Sequence, residues 1–341
     1  MGSNPTLSAL SPRFLATLTE GLGRAPGKPR SRRERRARGE RVRLFIDIHC
    51  HAYRKPPPGY SFQTAEQVLE RYDAEGIEKG CLLPIVSPEI YLPQTNEDIL
   101  DMAAQYPDRF IPWCNIDPRA LTYSSHAPLG DLLRYYKDRG CKGLGEVMPN
   151  LPVMDPMVQN LFKHAQDVGL PVTWDGSDQL TGDFGLYDDP GLPQLEHTLQ
   201  RWPELIVLGH GPVFWTEIAR LETPGERGHV FRPEGGQVGR VPKGPIKEEG
   251  VVPKLLRLYP NLYGDLSDAS PWNALARDPD YGPKFLTEFQ DRMLFGTDLC
   301  FPTMPIDIIG LLIDWRDTGK ISVEVFNKVA RENAIRLLGL E

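Results

Sequence analysis

The feature that most constrains the fold is a regular alternation of two kinds of segment over residues 43–341. Short apolar runs rich in β-branched residues have the composition of buried strands. Between them, apolar residues recur every three or four positions, which predicts amphipathic helices packed on the strands. The strand-like runs are 43–51, 79–86, 110–117, 141–148, 171–177, 205–211, 262–268 and 293–299.

Eight strands, each followed by a helix, within about 300 residues predict an α/β fold of the (β/α)8 TIM barrel type. A doubly wound open sheet is the alternative, but such sheets usually carry a glycine-rich turn after the first strand. The chain has no such turn after residues 43–51. Two segments, 178–190 and the Gly/Pro-rich, basic insert 222–250, interrupt the alternation. Loops this long in a compact domain are usually functional, so we expect a lid at 222–250.

Residues 1–42 differ in composition from the rest and predict an irregular, basic N-terminal extension to a single barrel domain at 43–341. Residues 24–43 hold ten Lys or Arg against two Glu, a net charge of +8. Residues 1–23 are neutral, so the chain's net charge of −7 leaves −15 for residues 44–341. Because this body would repel phosphate and the arm lacks interleaved aromatic residues, we do not expect a nucleic-acid partner.

Three observations predict a cytoplasmic protein without a membrane partner. No apolar stretch approaches the ~20 residues that span a bilayer. The N-terminus lacks the charged and then apolar layout of a signal peptide. The five cysteines are scattered and odd in number, which fits a reducing compartment better than a disulfide framework.

Polar residues that can bind a metal collect where the predicted strands end. His49 and His51 lie two positions apart at the end of the first run, so both imidazoles project from one face of a strand. Because the carboxyl ends of barrel strands form one rim that supplies catalytic groups, we expect a metal or acid–base site there. The other strand-end groups are Glu146, Asp175, His210, Asp265 and Asp298.

The motifs at these positions resemble those of the amidohydrolase superfamily, and in particular its amidohydrolase 2 branch of metal-dependent hydrolases and decarboxylases. The motifs occur in the same order as in the family and at the spacing of successive barrel strands. The resemblance covers nearly the whole chain from residue 43. These motifs are His49-x-His51 after Phe45-Ile46-Asp47, Gly143-Leu144-Gly145-Glu146, Leu208-Gly209-His210-Gly211, Leu294-Phe295-Gly296-Thr297-Asp298 and the ending at 332–340.

The resemblance implies a role for each of these polar residues. His49 and His51 match the first two metal ligands of the family. Asp298 matches the last-strand aspartate, which touches the metal and handles the proton of its water. His210 matches the histidine that orients or polarises the substrate or binds a second metal, and Glu146 sits where members place a metal-bridging or substrate-facing acid.

The fifth strand departs from the family pattern, because Asp175 stands where members typically carry a histidine ligand. A carboxylate oxygen can bind zinc at about 2.0–2.2 Å, so ligation survives this change. The added negative charge favours harder ions and weakens the case for a second metal. We therefore expect one divalent ion, zinc first and manganese or magnesium as alternatives. Either Glu146 or Asp175 could be its fourth ligand.

Substrate contacts are expected from residues near the strand ends. Arg119 could hold a carboxylate through two parallel hydrogen bonds, or it could form a surface salt bridge. Trp174, Phe214 and Trp215 could form an apolar wall of the pocket, or they could pack at the barrel mouth. The basic insert at 222–250 would suit an anionic substrate.

Three functions are compatible with the sequence. The first is metal-dependent hydrolysis of an amide, lactone or related acyl bond of a small molecule, with Asp298 as the base and His210 facing the oxyanion. The second is a lyase reaction, the non-oxidative decarboxylation of an aromatic or enoic acid, in which Asp298 or His210 protonates carbon. The third is a barrel that binds a ligand without catalysis, which the change at Asp175 suggests. Family members are often dimers, so a homodimer is also compatible.

Overall fold

The computed structural model describes residues 44–56, 61–90, 94–223, 227 and 242–340. The predicted extension at 1–42 lies outside the described residues. So does much of the predicted lid, of which only 222, 223, 227 and 242–250 are described.

Parallel strands alternate with helices through the described residues, and each of the eight predicted strand runs contains a strand. One further short strand, β6, lies within the segment 178–190 and pairs with β5. The strands are β1 Phe45–Cys50, β2 Ile77–Leu82, β3 Phe110–Pro112, β4 Leu144–Val147, β5 Val172–Ser177, β6 Leu186–Tyr187, β7 Val207–His210, β8 Leu262–Asp265 and β9 Met293–Leu294.

Helices follow the strands, and in the described part of the chain none is both long and apolar enough to cross a bilayer. A π-helical turn at Lys328–Glu332 joins the last two helices. The helices are α1 Ala65–Glu75, α2 Asn96–Gln105, α3 Leu129–Asp138, α4 Pro156–Val168, α5 Pro193–Arg201, α6 Gly211–Thr216, α7 Val251–Leu258, α8 Ala269–Ala276, α9 Tyr281–Glu288, α10 Asp307–Asp317, α11 Val323–Asn327 and α12 Asn333–Leu338.

Two parallel sheets, ordered β1-β2-β3 and β4-β5-β7-β8-β9, meet at two seams. At one seam Cys114 forms a parallel bridge with Leu144, and its backbone N–H donates to the Gly143 carbonyl at 3.0 Å. At the other, Cys50 forms a parallel bridge with Leu299. Backbone pairing therefore continues around a ring of eight strands, which confirms the predicted TIM barrel.

Alternate residues along the strands enter two separate apolar clusters. Ile46 and Ile48 of β1 belong to a smaller cluster with Cys81, Ile111 and Leu208. Their neighbours Phe45, Leu82, Phe110 and Val207 belong to the large cluster that the helices cover. This division is the one expected of a barrel, because successive side chains of a strand point into the ring and out toward the helices. The inward positions at the carboxyl ends of the strands remain for polar residues.

Candidate metal centre

The end of β1 is fixed to the loop after β9 by the buried carboxylate of Asp47. This carboxylate accepts hydrogen bonds from the backbone N–H of His49 at 3.0 Å and from that of Thr297 at 2.9 Å. It also accepts from the hydroxyls of Tyr72 at 2.7 Å and Thr297 at 2.6 Å. Burial raises the pKa of Asp47 to about 7, although these hydrogen bonds oppose the shift. Asp47 thus positions the histidine motif through its backbone.

Both imidazoles of the motif are oriented by an acceptor at Nδ1. His51 Nδ1 lies 2.9 Å from the Leu83 carbonyl oxygen, and His49 Nδ1 lies 2.7 Å from Asp265 Oδ2. A carbonyl and a carboxylate can only accept, so each Nδ1 carries a proton and donates it. The Nε2 atoms of the two rings are then 3.1 Å apart. Their lone pairs are directed as metal ligands require.

Two carboxylates complete a four-atom group around the imidazoles. Glu146 Oε2 lies 3.5 Å from His49 Nε2 and 3.6 Å from His51 Nε2. Asp298 Oδ1 lies 3.6 Å and 3.3 Å from the same two atoms. Ligands about 2.0–2.2 Å from one tetrahedral ion are separated by roughly 3.3–3.6 Å. The five separations that the structure gives among these donors, 3.1–3.6 Å, come within about 0.2 Å of this range, so the cluster fits a metal site.

Asp298 reaches this group from the seam between the first and last strands. Its backbone N–H donates to the His49 carbonyl at 2.8 Å. Its φ is +52°, in the left-handed region that Asp and Asn adopt more readily than most other residues. Its side chain is 18% exposed, against at most 6% for His49, His51 and Glu146. Among the four donors, Asp298 is the one most open to solvent.

Asp175 and His210 lie on the other side of Glu146. Glu146 Oε1 is 3.3 Å from His210 Nε2, so the two oxygens of Glu146 face different groups. Donor atoms of Glu146, Asp175 and His210 all lie within 4.8 Å of one another. Asp175 Oδ2 is buried and accepts no hydrogen bond from any residue that the structure describes. Burial and the charge of Glu146 raise the pKa of Asp175 well above its ordinary value. A nearby cation would supply the missing partner.

Asp265 and Ser267 contact the imidazoles of His49 and His210 at Nδ1. Asp265 Oδ2 lies 3.3 Å from His210 Nδ1, in addition to its contact with His49. Ser267 Oγ lies 3.0 Å from His210 Nδ1 and 3.3 Å from His49 Nδ1. The sequence marked Asp265 only as a strand-end acid and gave Ser267 no role. The signal was available, because residues two apart at a strand end share a face.

The charges of the cluster shift its protonation equilibria. Burial disfavours the charged imidazole, but the charges of Asp265, Glu146 and Asp298 outweigh it and raise the pKa of His49. For His210, burial and the His49 charge lower the pKa, whereas Asp265 and Glu146 raise it to about 10. Burial opposes ionisation of Glu146, yet the adjacent imidazoles hold its pKa well below the usual value. The cluster is strongly anionic around its imidazoles, as a cation site is.

A tyrosine and a cysteine that the predicted site did not include also border the cluster. Cys300, half-buried, has its Sγ 3.7 Å from Asp298 Oδ1. Donor atoms of Cys300, His51 and Asp298 lie within 4.8 Å of one another. Tyr53, two residues after His51, is 1% exposed, and its hydroxyl lacks a hydrogen-bond partner among the described residues.

The structure places Arg119 in an ion-pair network. Its guanidinium lies 2.9 Å and 3.0 Å from the two oxygens of Glu89 and 2.7 Å from Asp117 Oδ2. Arg119 therefore pairs with two acids of its own chain, as in the salt-bridge alternative. A role for Arg119 in binding a substrate carboxylate stays a prediction.

The three aromatic residues proposed as a pocket wall are not brought to the metal cluster. Trp174, Phe214 and Trp215 are at most 1% exposed and belong to the large core cluster. Phe214 packs edge-on against both tryptophans, with ring centroids 6.5 Å and 5.3 Å apart. The Trp215 indole N–H donates to the Asp265 carbonyl at 2.9 Å. These residues therefore pack in the core, as in the packing alternative, and a role as a pocket wall stays a prediction.

Comparison with known proteins identifies one matching family. A family model described as "Amidohydrolase" matches residues 46–340. No curated protein matches the chain significantly.

Solved structures of the same fold include several enzymes, all under 25% identical to this chain. A probable 2-pyrone-4,6-dicarboxylic acid hydrolase from Acinetobacter baumannii, with citric acid bound, is 14% identical; the match covers 87% of this chain and 99% of that one, with a TM-score of 0.54. A 2,6-dihydroxybenzoate decarboxylase from Rhizobium is 16% identical over 87% and 98%, with a TM-score of 0.51. A zinc-bound amidohydrolase from Burkholderia multivorans is 14% identical over 87% and 100%, with a TM-score of 0.53. At these identities the likeness shows the fold alone.

Proposed function

Because the chain belongs to the amidohydrolase family of metal-dependent enzymes, we propose that it hydrolyses an amide, lactone or related acyl bond of a small molecule. The family match confirms the resemblance that the sequence motifs indicated. The observation that carries the proposal is the cluster of four candidate ligand atoms from His49, His51, Glu146 and Asp298, in which each imidazole lies 3.1–3.6 Å from the other three atoms.

We assign one divalent ion to these four donors, with zinc as the first choice. Two imidazoles and two carboxylates suit zinc, and manganese is the alternative for a site this rich in oxygen. The Burkholderia multivorans amidohydrolase of the same fold was crystallised with zinc, which supports this choice. Asp175, facing Glu146 and His210, is assigned to the surroundings of the ion.

The chemistry of such a centre suits acyl hydrolysis. A divalent ion bound by these donors, with a coordination position left for water, would polarise a carbonyl and lower the pKa of that water from 15.7 to about 7. Asp298, the most exposed of the four donors, accepts the proton of the attacking water. His210 donates a hydrogen bond from Nε2 to the carbonyl oxygen as it becomes negative. Asp265 and Ser267 hold its Nδ1 and keep the ring in this orientation.

Removing the two β1 histidines tests the metal assignment. We expect protein carrying both His49→Ala and His51→Ala to lose its bound metal, measured by elemental analysis of protein purified without chelator, while its circular dichroism is unchanged. His197→Ala, on the exposed face of α5, is the matched control and should keep the metal. Metal content or activity at the wild-type level in the double variant would contradict the assignment.

A substrate panel separates hydrolysis from decarboxylation, the second candidate function. The Rhizobium decarboxylase of this fold acts on 2,6-dihydroxybenzoate, so aromatic acids belong in the panel beside lactones such as 2-pyrone-4,6-dicarboxylate and simple amides. Water addition without carbon dioxide supports the hydrolase. Release of carbon dioxide from an aromatic or enoic acid, with no acyl hydrolysis, supports the decarboxylase. A barrel without catalysis is no longer favoured, given the family and the assembled donors.

A further inference from the structure

We propose that Tyr53 is a substrate-binding residue whose hydroxyl donates a hydrogen bond to a carbonyl or carboxylate oxygen of the bound substrate. The inference rests on the proposed function, because it places that substrate at the same metal centre. It assigns a contact that is made by a neutral donor and not by an arginine or lysine.

The hydroxyl of Tyr53 is buried and unpaired. The residue is 1% exposed, and no described residue lies within hydrogen-bonding distance of its oxygen. A buried hydroxyl without a partner costs roughly 1–3 kcal/mol, so native proteins rarely leave one unpaired. A ligand oxygen that arrives with the substrate would remove this cost.

Tyr53 belongs to the surroundings of the metal centre. It follows His51 by two residues, and its backbone is joined through Gln63 to the segment that carries Asp298. Burial and then the charges of Cys300, Asp298 and Glu146 raise the pKa of Tyr53, in keeping with this position. None of these groups pairs with the hydroxyl, and Asp298 is the most exposed of the four donors. We therefore assign a substrate bound at the centre as the partner of the hydroxyl.

The backbone of Tyr53 is fixed to the segment that carries Asp298. Its N–H donates to the Gln63 carbonyl at 2.8 Å, and the Gln63 N–H donates to the Cys300 carbonyl at 3.2 Å. The Gln63 amide also donates to the His51 carbonyl at 3.0 Å and the Leu299 carbonyl at 2.6 Å. The position of Tyr53 relative to the metal ligands is thus set by four hydrogen bonds through one buried glutamine.

The ring of Tyr53 is fixed as well. It stacks on Phe62, with centroids 4.6 Å apart and an interplanar angle of 25°. Phe62 in turn stacks on Phe301 at 5.3 Å and 17°. A ring stacked on this pair of phenylalanines cannot move its hydroxyl toward other partners without losing the contact with Phe62. The donor is preorganised for one position, which is the property expected of a substrate-binding group.

The test removes only the hydroxyl and measures binding of a defined probe. Zinc-loaded protein is titrated calorimetrically with acetohydroxamate, a small acyl compound with two acceptor oxygens. We expect Tyr53→Phe to keep the zinc content and to bind the probe about tenfold more weakly, the effect of one lost hydrogen bond. Tyr281→Phe removes a hydroxyl that pairs with Glu249 at 2.9 Å in another part of the fold, and it should bind as wild type does.

A stability measurement separates binding from a structural role. Because no described residue pairs with the hydroxyl, its removal should leave the Tm of the zinc-loaded, probe-free protein unchanged or higher. Three results for Tyr53→Phe would each overturn the proposal: a lower Tm than wild type, a loss of zinc, or the same affinity for the probe as wild type. None of them would contradict the metal centre of the wild-type protein. Wild-type protein that holds zinc but does not bind the probe would also overturn it. Wild-type protein without zinc would instead contradict the proposed function, and the role of Tyr53 with it.

Discussion

Glu146 and Asp175 are both buried carboxylates of the centre, but only Glu146 lies near both β1 imidazoles. Its Oε2 is 3.5 Å from His49 Nε2 and 3.6 Å from His51 Nε2, whereas Asp175 groups with Glu146 and His210. We expect Glu146→Gln to weaken zinc binding by at least about 100-fold and Asp175→Asn by roughly 10-fold, measured by competition with a chelator. The opposite order would make Asp175 the fourth ligand.

A substitution of Arg119 can distinguish a structural role of this residue from a role in substrate binding. Burial opposes ionisation of Glu89, but the hydrogen bonds and charge of Arg119 outweigh it and hold the pKa of Glu89 below its usual value. A lowered carboxyl pKa contributes stability that is present above the ordinary pKa and is lost as the pH falls through the lowered value. We expect Arg119→Gln to reduce the free energy of unfolding by about 1–2 kcal/mol at neutral pH, with the loss shrinking below about pH 4. Urea unfolding across pH measures this.

The competing outcome for Arg119 is kinetic. Arg119→Gln that unfolds as wild type does at every pH, yet raises the KM of an anionic substrate, would support the carboxylate clamp that the sequence suggested. Lys254→Gln, whose amine is 3.8 Å from Glu196 on the exposed surface, is a suitable control for the loss of a positive charge. It should change the free energy of unfolding very little.

Which residues form the centre could be predicted from the sequence, because each donor follows a recognisable strand. The burial of Trp174 could have been expected at the same scale, from an adjacency that the sequence already contained. Trp174 and Asp175 are adjacent on β5, so a strand that points Asp175 into the ring must point Trp174 toward the helices. Tyr53 gained its proposed role only through a tertiary contact with Gln63 that no local pattern encodes, whereas the position of Ser267 two residues after Asp265 was a local signal.

Helix α6 begins at a position where only glycine fits. Gly211 has a φ of +80°, and a Cβ built on it would overlap Asp175 Oδ1. We expect Gly211→Ala to lower the free energy of unfolding by roughly 2–4 kcal/mol, since it combines a strained backbone with a steric clash against the centre. Chemical denaturation measures the loss.

Gly182 provides the matched control for Gly211. Its φ is +79°, but a Cβ there would meet nothing within 4 Å. Gly182→Ala therefore isolates the backbone cost, about 1–2 kcal/mol. Equal losses in the two variants would show that Asp175 moves freely and that the contact between α6 and the centre is not rigid.

Strands were easier to predict than some helices. The strand runs are buried and apolar, whereas α8 carries Pro271 near its start, a residue that usually argues against a helix. Proline is tolerated in the first helical turn, because the N–H groups there have no partner within the helix. The Asp268 side chain accepts a hydrogen bond from the Ser270 N–H and caps this helix. Strand β6 was missed because two residues carry no periodicity.

The whole molecule should depend on its metal for stability. Folding brings the carboxylates of Glu146, Asp175, Asp265 and Asp298 around three imidazoles, and the unfolded chain does not assemble this group. Zinc at 100 times its dissociation constant should raise the free energy of unfolding by about 2.7 kcal/mol relative to protein in EDTA. The variant with His49→Ala and His51→Ala should show no such difference. An equal effect of zinc on wild type and variant would mean that the ion binds elsewhere.

The junction between β1 and the segment after β9 joins the first and last parts of the barrel to emerge from the ribosome. There the carbonyl of His49 accepts the N–H of Asp298 at 2.8 Å, and the same two residues carry two of the proposed ligands. A nascent chain that ends before residue 298 already contains the imidazoles of His49 and His51. It lacks the carboxylate of Asp298, and one edge of its β1 strand is unpaired. We therefore expect the cation to bind tightly only when the ring of strands is complete. Truncated products of translation would be both metal-poor and prone to aggregate, which distinguishes them from finished protein for cellular quality control.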